Sequence, residues 1–579
     1  MFRDVIARTV ARAQAWHRRR AAADERGMAL VWAGGCLFML LLAAGFAIDL
    51  VHAYQVGQRA QNAADASALA GTVFLPANPT NAKARAVVSA ADNGFSTIGA
   101  TTVTPRTSTD DSELQPTQIE VEIKTEVPTL FARVVGFNSV HVRRTAVADY
   151  DNPVAMGSPS NTMGNQPDCV TPCSSGDDHP QYWLNVAGPK SSKAKGDRHQ
   201  ANVCSGADNC SGTNQDYVTD GYLFVVRNQS AGATIEIEAF DPAFVNVGDK
   251  CPADDRGSQL SNLYTATSNP RFNYVTTPSN PADPGWAYCT GDQWFNGASE
   301  DPVEGPYTLY RFYEPDATPG DVSDNTLIGS CTRGFDPVQG SLLARYNAEI
   351  APGSLVHPTV TQYFRQWVPM CSVSNADVGD YVVQVQTNRN LDGSDRTNGG
   401  GHNRFALRVK SGGSLSATSV RMFGLGKLPI YANATGSDTR FHLAQILPGA
   451  ANRKLRITFF DVGDASDVGT LTVLPPADSN YATFNGCTYT APPGNSSGPP
   501  FGTFAATGGG CSVSGVSSST WNGQIIEWLV PIPSDYNCDY LDPTGCWVKM
   551  KFQYGSSVQV SDTTTWSATL DGNPVRIIN

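Results

Sequence analysis

Few residues in this chain stand at spacings that could do chemistry. Its eight histidines, His17, His52, His141, His179, His199, His357, His402 and His442, are scattered. None falls in an HExxH zinc pair, and neither a GxSxG nucleophile elbow nor a phosphate-cradling glycine loop is present. His402, in GGGHNRF, reads as a turn or surface residue. No catalytic residue and no organic cofactor is assigned, and the chain reads as non-enzymatic.

Oxygen-rich loops are the remaining candidates. NLDGSDRTNGGGHN carries Asp392 and Asp395, and DVGDASD spaces Asp461, Asp464 and Asp467 by three. Calcium takes roughly six to eight oxygen ligands, so these five are the calcium candidates. Asp and Asn also favour turns through their own hydrogen bonds, which accounts for the same residues without an ion. Trp286, Trp294, Trp367, Trp521, Trp547 and Trp566 could line a glycan-binding face, or pack between sheets by period-two burial.

The thirteen cysteines divide by position. Cys36 lies in an apolar run; Cys169, Cys173, Cys204, Cys210, Cys251, Cys289, Cys331, Cys371, Cys487, Cys511, Cys538 and Cys546 all follow it. An even set in an oxidising compartment predicts up to six disulfides, with neighbours such as Cys538 and Cys546 as plausible partners. A zinc site at Cys169–Cys173 with Cys204–Cys210 lacks both CxxC spacing and a ligand-like histidine.

The apolar run is residues 28–48, MALVWAGGCLFMLLLAAGFAI, with no charge in it. As a helix it spans about 31 Å, a bilayer's hydrocarbon thickness. Residues 1–27 carry seven Arg against three acidic residues, a net +4. That excess places the tail in the cytoplasm and residues 49–579 outside, with one crossing. The run is longer than a signal peptide's apolar region, so an uncleaved anchor is expected. Beyond residue 27 the formal charge is −16, which gives no reason to expect a nucleic-acid partner.

AIDLVHAYQVGQRAQNAADASALAG (47–71) follows without Pro, and its Ala, Leu, Gln and Arg favour continued helix. Leu50, Tyr54, Ala60, Ala63, Ala64, Leu69 and Ala70 are the expected packing stripe. The stretch 24–71 has an ERG lead-in, the apolar span, Asp49 just past it, Tyr54 one turn on, then QNAADASALAG. In these features it resembles the N-terminal domain of the Tad (Flp) pilus-assembly TadG-like family. The likeness continues more loosely to about residue 150 through AADNGF, IEVEIKTEVPTLFARVVGF and VRRTAVAD. It implies a pilin-related membrane protein of a Tad pilus or secretion system. The helix is expected to pack as a stalk on its own domain, to engage other pilus subunits, or to do both, with Asp49, Tyr54, Gln61, Asn62 and Asp65 as its interaction residues. Related pilins are processed after a Gly with Glu five residues on; here Gly27 is followed at that distance by Trp32, so the Arg-rich tail is expected to stay attached. Some TadG-like proteins carry a von Willebrand A domain, but DVSDN at Asp321 and DASDV at Asp464 lack the second Ser of its Asp-x-Ser-x-Ser metal motif.

Residues 49–150 read as a helix extension and a small α+β domain: a helix over 81–95, strands QIEVEIKT (118–125) and SVHVRRTAVADY (139–150), and a short helix PTLFARVV between Pro128 and Gly136. Residues 151–180 read as a Pro/Gly/Ser linker. The rest reads as all-β, with strands in GYLFVVRN, TIEIEAF, YTLYRFYE, DYVVQVQTN and RFALRVK, then RFHLAQIL, KLRITFFDV, GTLTVL, QIIEWLVPI, WVKMKFQYG and TTTWSATLDGNPVRII. Asp571-Gly572 is a hairpin signal between the last two strands. TDGYLFVVRNQSAGATIEIEAFD echoes SDTRFHLAQILPGAANRKLRITFFD, which suggests duplication. The expected architecture is therefore an α+β pilin-like part, a long transmembrane helix plus a small α/β domain. All-β structure follows it, as two disulfide-stabilised sandwich or jelly-roll-like modules over 181–412 and 413–579. The expected function is a membrane-anchored structural part of a Tad/Flp-type pilus system; the alternative is a surface adhesin or carbohydrate-binding protein that uses the Tad-like segment only as an anchor.

Overall fold

The computed structural model describes residues 2–150, 154–164, 182–242, 305–316, 322–335, 366–435, 439–463, 465, 467–491, 502–505, 510–542, 544–555, 559–572 and 575–578. They form two compact units, one of Met1–Leu75, Pro79–Tyr150 and Val575–Asn579, the other of Pro76–Asn78 and Asp151–Pro574.

In the first unit α1 (Phe2–Thr72) runs unbroken for 71 residues, because no proline interrupts the chain before Pro76. It contains Met28–Thr72, long and apolar enough to cross a membrane. Its side chains are exposed through most of residues 28–44, and then a seam of small residues turns inward. Gly45, Asp49, Ala53, Gly57, Ala60, Ala64, Ala68 and Gly71 are buried at spacings of four and three, the repeat of one helix face. α2 (Pro79–Asp92) starts on proline, whose missing N–H costs nothing there, and stops before Gly94, whose φ is 88°.

Both helices cover an antiparallel sheet of β1 (Thr102–Thr107), β2 (Gln118–Pro128) and β3 (Ser139–Tyr150). Ile119, Val121 and Ile123 alternate along β2 and are completely buried beneath the seam. Gly71 marks the tightest approach: a Cβ there would lie 2.7 Å from the backbone oxygen of Ala82. A backbone atom inside α2 cannot swing aside as a side chain can. Gly71→Ala is therefore expected to destabilise this unit by about 1–3 kcal/mol despite alanine's better helix propensity, read by urea denaturation of the detergent-solubilised chain.

The second unit holds β4 (Ala155–Gly157), β5 (Thr162–Met163), β6 (Tyr182–Ala187), the small hairpin β7 (Val203–Ser205) with β8 (Ser211–Thr213), and β9 (Tyr222–Asn228). There follow β10 (Ala233–Phe240), β11 (Thr308–Tyr313), β12 (Arg333–Phe335), β13 (Trp367–Ala376), β14 (Gly379–Gln386) and β15 (His402–Ser411). After residue 412 come β16 (Val420–Leu425), β17 (Leu428–Thr435), β18 (Thr439–Gln445), β19 (Lys454–Phe460) and β20 (Gly469–Leu474). The series closes with β21 (Thr488–Ala491), β22 (Gly502–Ala505), β23 (Cys511–Val516), β24 (Ile525–Pro531), β25 (Trp547–Gln553) and β26 (Gln559–Leu570).

One sheet runs β13-β10-β15-β6-β17-β26-β19-β24-β21-β22, and the other β12-β11-β14-β9-β16-β4-β18-β25-β20-β23. Matched outward from the β6–β17 and β16–β4 junctions, these orders pair strands in chain order. β10 corresponds to β19, β15 to β26, β6 to β17, β13 to β24, β14 to β25, β11 to β20 and β9 to β18. The ladders beside the join agree in register. Leu184 faces Phe405, Ile430 faces Thr564, and Leu184 faces Ile430 where the halves join. The sequence echo ends at equivalent points: Asp241 and Asp461 take φ of 51° and 61° and donate their N–H groups to the carbonyls of Gln366 and Gln524. The unit is thus a tandem duplication with one exchange. β4 pairs with β18 of the other half, and β16 pairs with β9. The chain passes between halves between Ser411 and Val420, and both sheets continue across that join.

Several expectations are corrected. Asp571-Gly572 joins no hairpin, because β26 stays in the large sheet while the next strand, β27 (Val575–Ile577), extends the first unit's sheet beside β3. Residues 155–157 and 162–163, expected in the linker, are strands; residues 165–181 lie outside the described residues. His402 is buried at the start of β15, not exposed in a turn. The helix expected from Pro128 is a single 3₁₀ turn, Ala132–Val135, since Pro128 still pairs with Ser139 as the last residue of β2. Leu50 and Tyr54 point away from the packed seam.

A buried histidine gives the second unit a pH dependence. His199 Nδ1 lies 2.9 Å from the carbonyl oxygen of Asp216, and burial lowers its pKa to about 4. The folded state therefore holds it neutral, while an unfolded chain would take a proton near pH 6.5. Its contribution is complete above about pH 6.5 and is lost as pH falls toward 4, a change of about 2–3 kcal/mol. His199→Asn keeps an amide donor but does not titrate; the gap between its melting temperature and the wild type's is expected to depend on pH across that window and to level off above it.

Candidate assembly interface

The candidate residues on α1 divide between two faces. Asp49 is buried, and its carboxylate accepts the backbone N–H groups of Leu130, Phe131 and Ala132 at 2.8, 2.9 and 2.6 Å. Those are the donors a helical turn leaves unsatisfied at its start, so Asp49 caps the 3₁₀ turn from another element. One turn earlier on α1, Gly45 lets Phe131 lie flat against the helix; a Cβ there would come within 2.7 Å of the Phe131 Cβ. Gln61 Nε2 donates to Asp65 Oδ1 at 2.8 Å and to the Thr145 carbonyl at 3.2 Å, tying α1 to β3. Ser67 donates to the Ala63 carbonyl within the helix, and Thr72 reaches across to the Thr117 carbonyl at 3.0 Å.

Tyr54 and Asn62 lie on the other face. With Leu50 and Gln58 they form an exposed ridge at four-residue spacing, Tyr54 being 63% accessible. Asp49, Gln61 and Asp65 therefore hold the domain on the helix, while Tyr54 and Asn62 are presented outward. Sequence reasoning missed the small-residue contacts at Gly45, Ala53 and Gly57. Of the expected stripe, Ala60, Ala63 and Ala64 are buried and Leu69 packs against them, whereas Leu50 and Tyr54 are exposed.

The candidate metal residues belong to the second unit. Asp392 accepts from the backbone N–H and hydroxyl of Ser394, which hold its pKa below the usual carboxylate range, and Asp395 pairs with Arg389. Asp461 is buried and accepts the Gly523 N–H; Asp467 accepts the Val468 N–H at 2.8 Å; Asp464 lies outside the described residues. Among the described residues one grouping has metal-capable atoms close together, Asp478 with Cys538 and Cys546. Its two sulfurs are joined to each other, and Asp478 accepts the N–H groups of Asp539 and Cys546.

Among the described residues, all eight candidate cysteines form disulfides: Cys204–Cys210, Cys331–Cys371, Cys487–Cys511 and Cys538–Cys546. Cys169, Cys173, Cys251 and Cys289 lie outside the described residues, and Cys36 is an exposed thiol on α1. Trp521, Trp547 and Trp566 are buried, and Trp367 packs between Phe240 and the Arg408 guanidinium. Trp286 and Trp294 lie outside the described residues.

No curated protein and no solved structure matches the chain. Residues 27–92 match the family model of Tad, Flp pilus-assembly TadE/G-like, and that stretch runs from the start of the apolar span to the last residue of α2. The Tad-like part of this chain is thus the membrane-length helix, its small-residue seam and the helix folded back on it.

Proposed function

We propose that this chain is a membrane-anchored, non-enzymatic structural component of a Tad/Flp-type pilus-assembly or secretion system. The observation that carries the reading is the coincidence of the Tad match with the apolar helix and the seam beyond it. Residues 28–48 cross the bilayer once, the Arg-rich residues 1–27 stay in the cytoplasm, and the β unit lies outside. Two features support this orientation: the positive charge before the span, and four disulfides in the second unit. Disulfides of this kind persist in oxidising compartments. In this role the exposed ridge of Leu50, Tyr54, Gln58 and Asn62 meets other pilus-assembly subunits.

The test is a deletion in the producing cell together with affinity purification of the tagged full chain from membranes. Loss of surface pili and co-purification of Tad components are the expected results. Intact pili, with glycan or host-surface binding lost instead, would transfer the function to an adhesin that merely borrows the anchor.

A further inference from the structure

The turn that Asp49 caps exposes an unusual set of side chains. Leu130, Phe131, Val134, Val135 and Phe137 are all exposed, Val134 at 77% and Phe137 at 65%. A turn between two polar-faced strands has no packing reason to carry five large apolar residues on its outside. Its height along α1 is fixed, because Asp49 holds the amides of residues 130–132 and Phe131 lies against Gly45. Gly45 and Asp49 are the outer end of the apolar span, about 6 Å apart along the helix axis.

We propose that this turn enters the outer leaflet of the same bilayer that α1 crosses, as a second, interfacial anchor. The inference rests on the membrane reading of residues 28–48. Three features fit the occupant. The apolar tip is continuous with the lipid-facing surface of α1, whose Phe46 and Ile48 are exposed at the same level. The turn's amides are paired, partly through α1: Val134, Gly136 and Phe137 donate to the carbonyls of Phe131, Arg133 and Ala132, Thr129 bonds across to Asn138 and Phe137, and Asp49 takes the amides of residues 130–132. Apolar depth demands such pairing. Exposed Arg133 lies in the turn itself, where a long cation can reach phosphate headgroups while the apolar face sits roughly 5–10 Å deep. With the Asp49 clamp, the turn would fix both the depth and the tilt of α1.

The test uses the full chain in phosphatidylcholine–phosphatidylglycerol vesicles, in a Cys36→Ser background, with a nitroxide on Val134→Cys, Phe137→Cys, Phe38→Cys or Tyr54→Cys. Collisions with oxygen, which partitions into lipid, are compared with those of a water-soluble nickel chelate. Labels at 134 and 137 are expected to favour oxygen, as the label at 38 does, while the label at 54 favours nickel. Nickel-accessible labels at 134 and 137, with 38 in lipid, would overturn this inference alone. Labels at 134 and 137 shielded from both reagents would overturn it in favour of a protein contact. A nickel-accessible label at 38 would overturn the membrane reading itself.

Discussion

Deleting residues 575–579 is expected to destabilise the unit built on α1 by about 3–5 kcal/mol, although these residues are more than 400 positions away in sequence from the strand they join. β27 pairs Val575 with Tyr150, Arg576 with Asp149 and Ile577 with Ala148, and the Ile578 N–H donates to the Val147 carbonyl. Arg576 Nη2 lies 2.9 Å from Asp149 Oδ2, and Asp149 is 1% exposed. In Arg576→Ala, where β27 still covers it, the carboxylate keeps the Thr117 hydroxyl at 2.8 Å but loses the guanidinium. A buried charge stripped of its partner is what makes the loss large. Arg576→Ala should reproduce most of it and Arg576→Lys about half. Hydrogen exchange along β3 in the detergent-solubilised protein reads the effect. Unchanged protection at residues 147–150 after the deletion would refute it.

Asp49→Ala is expected to cost about 4 kcal/mol in the same unit, since three backbone donors lose a charged acceptor at once. Asp49→Asn retains one acceptor oxygen and should lose about half as much. The amides of Leu130, Phe131 and Ala132 are the direct readout: they should exchange rapidly in the alanine variant while the amides of β2 stay protected. Slow exchange at those three positions would mean that the turn holds itself without the helix.

Local periodicity carried much of this fold. β3 falls at 139–150 as expected from SVHVRRTAVADY, and β20 at 469–474 from GTLTVL, because alternation of buried and exposed residues is a property of the strand alone. Where the outcome depends on a distant partner, the sequence carried less. Asp571-Gly572 has hairpin chemistry, yet the chain beyond it is captured by β3 of another unit through Arg576 and Asp149. The exchange of β4 and β16 was hidden because β4 is three residues long inside a Gly/Ser-rich stretch. On α1, helix and length were legible, and so was the outer part of the packed face, where Ala60, Ala63 and Ala64 are buried as expected. Nearer the membrane, size suggested Leu50 and Tyr54, whereas close approach selects Gly45, Ala53 and Gly57. Of the candidate interface, Asp49 stood out by its position just past the apolar run, but its role as a cap depends on a turn some 80 residues later.

The central claim is that the outer part of α1 holds a large body on the membrane and presents a ridge to a pilus-assembly apparatus. A photoreactive amino acid placed at Tyr54 or Asn62, in intact cells that produce the full system, tests it most directly. The account predicts adducts between this chain and another membrane-associated Tad component, lost when Gln58 between them is replaced by a bulky charged residue. Adducts only with cytosolic proteins, or none while the chain is present in the membrane and pili are assembled, would contradict it.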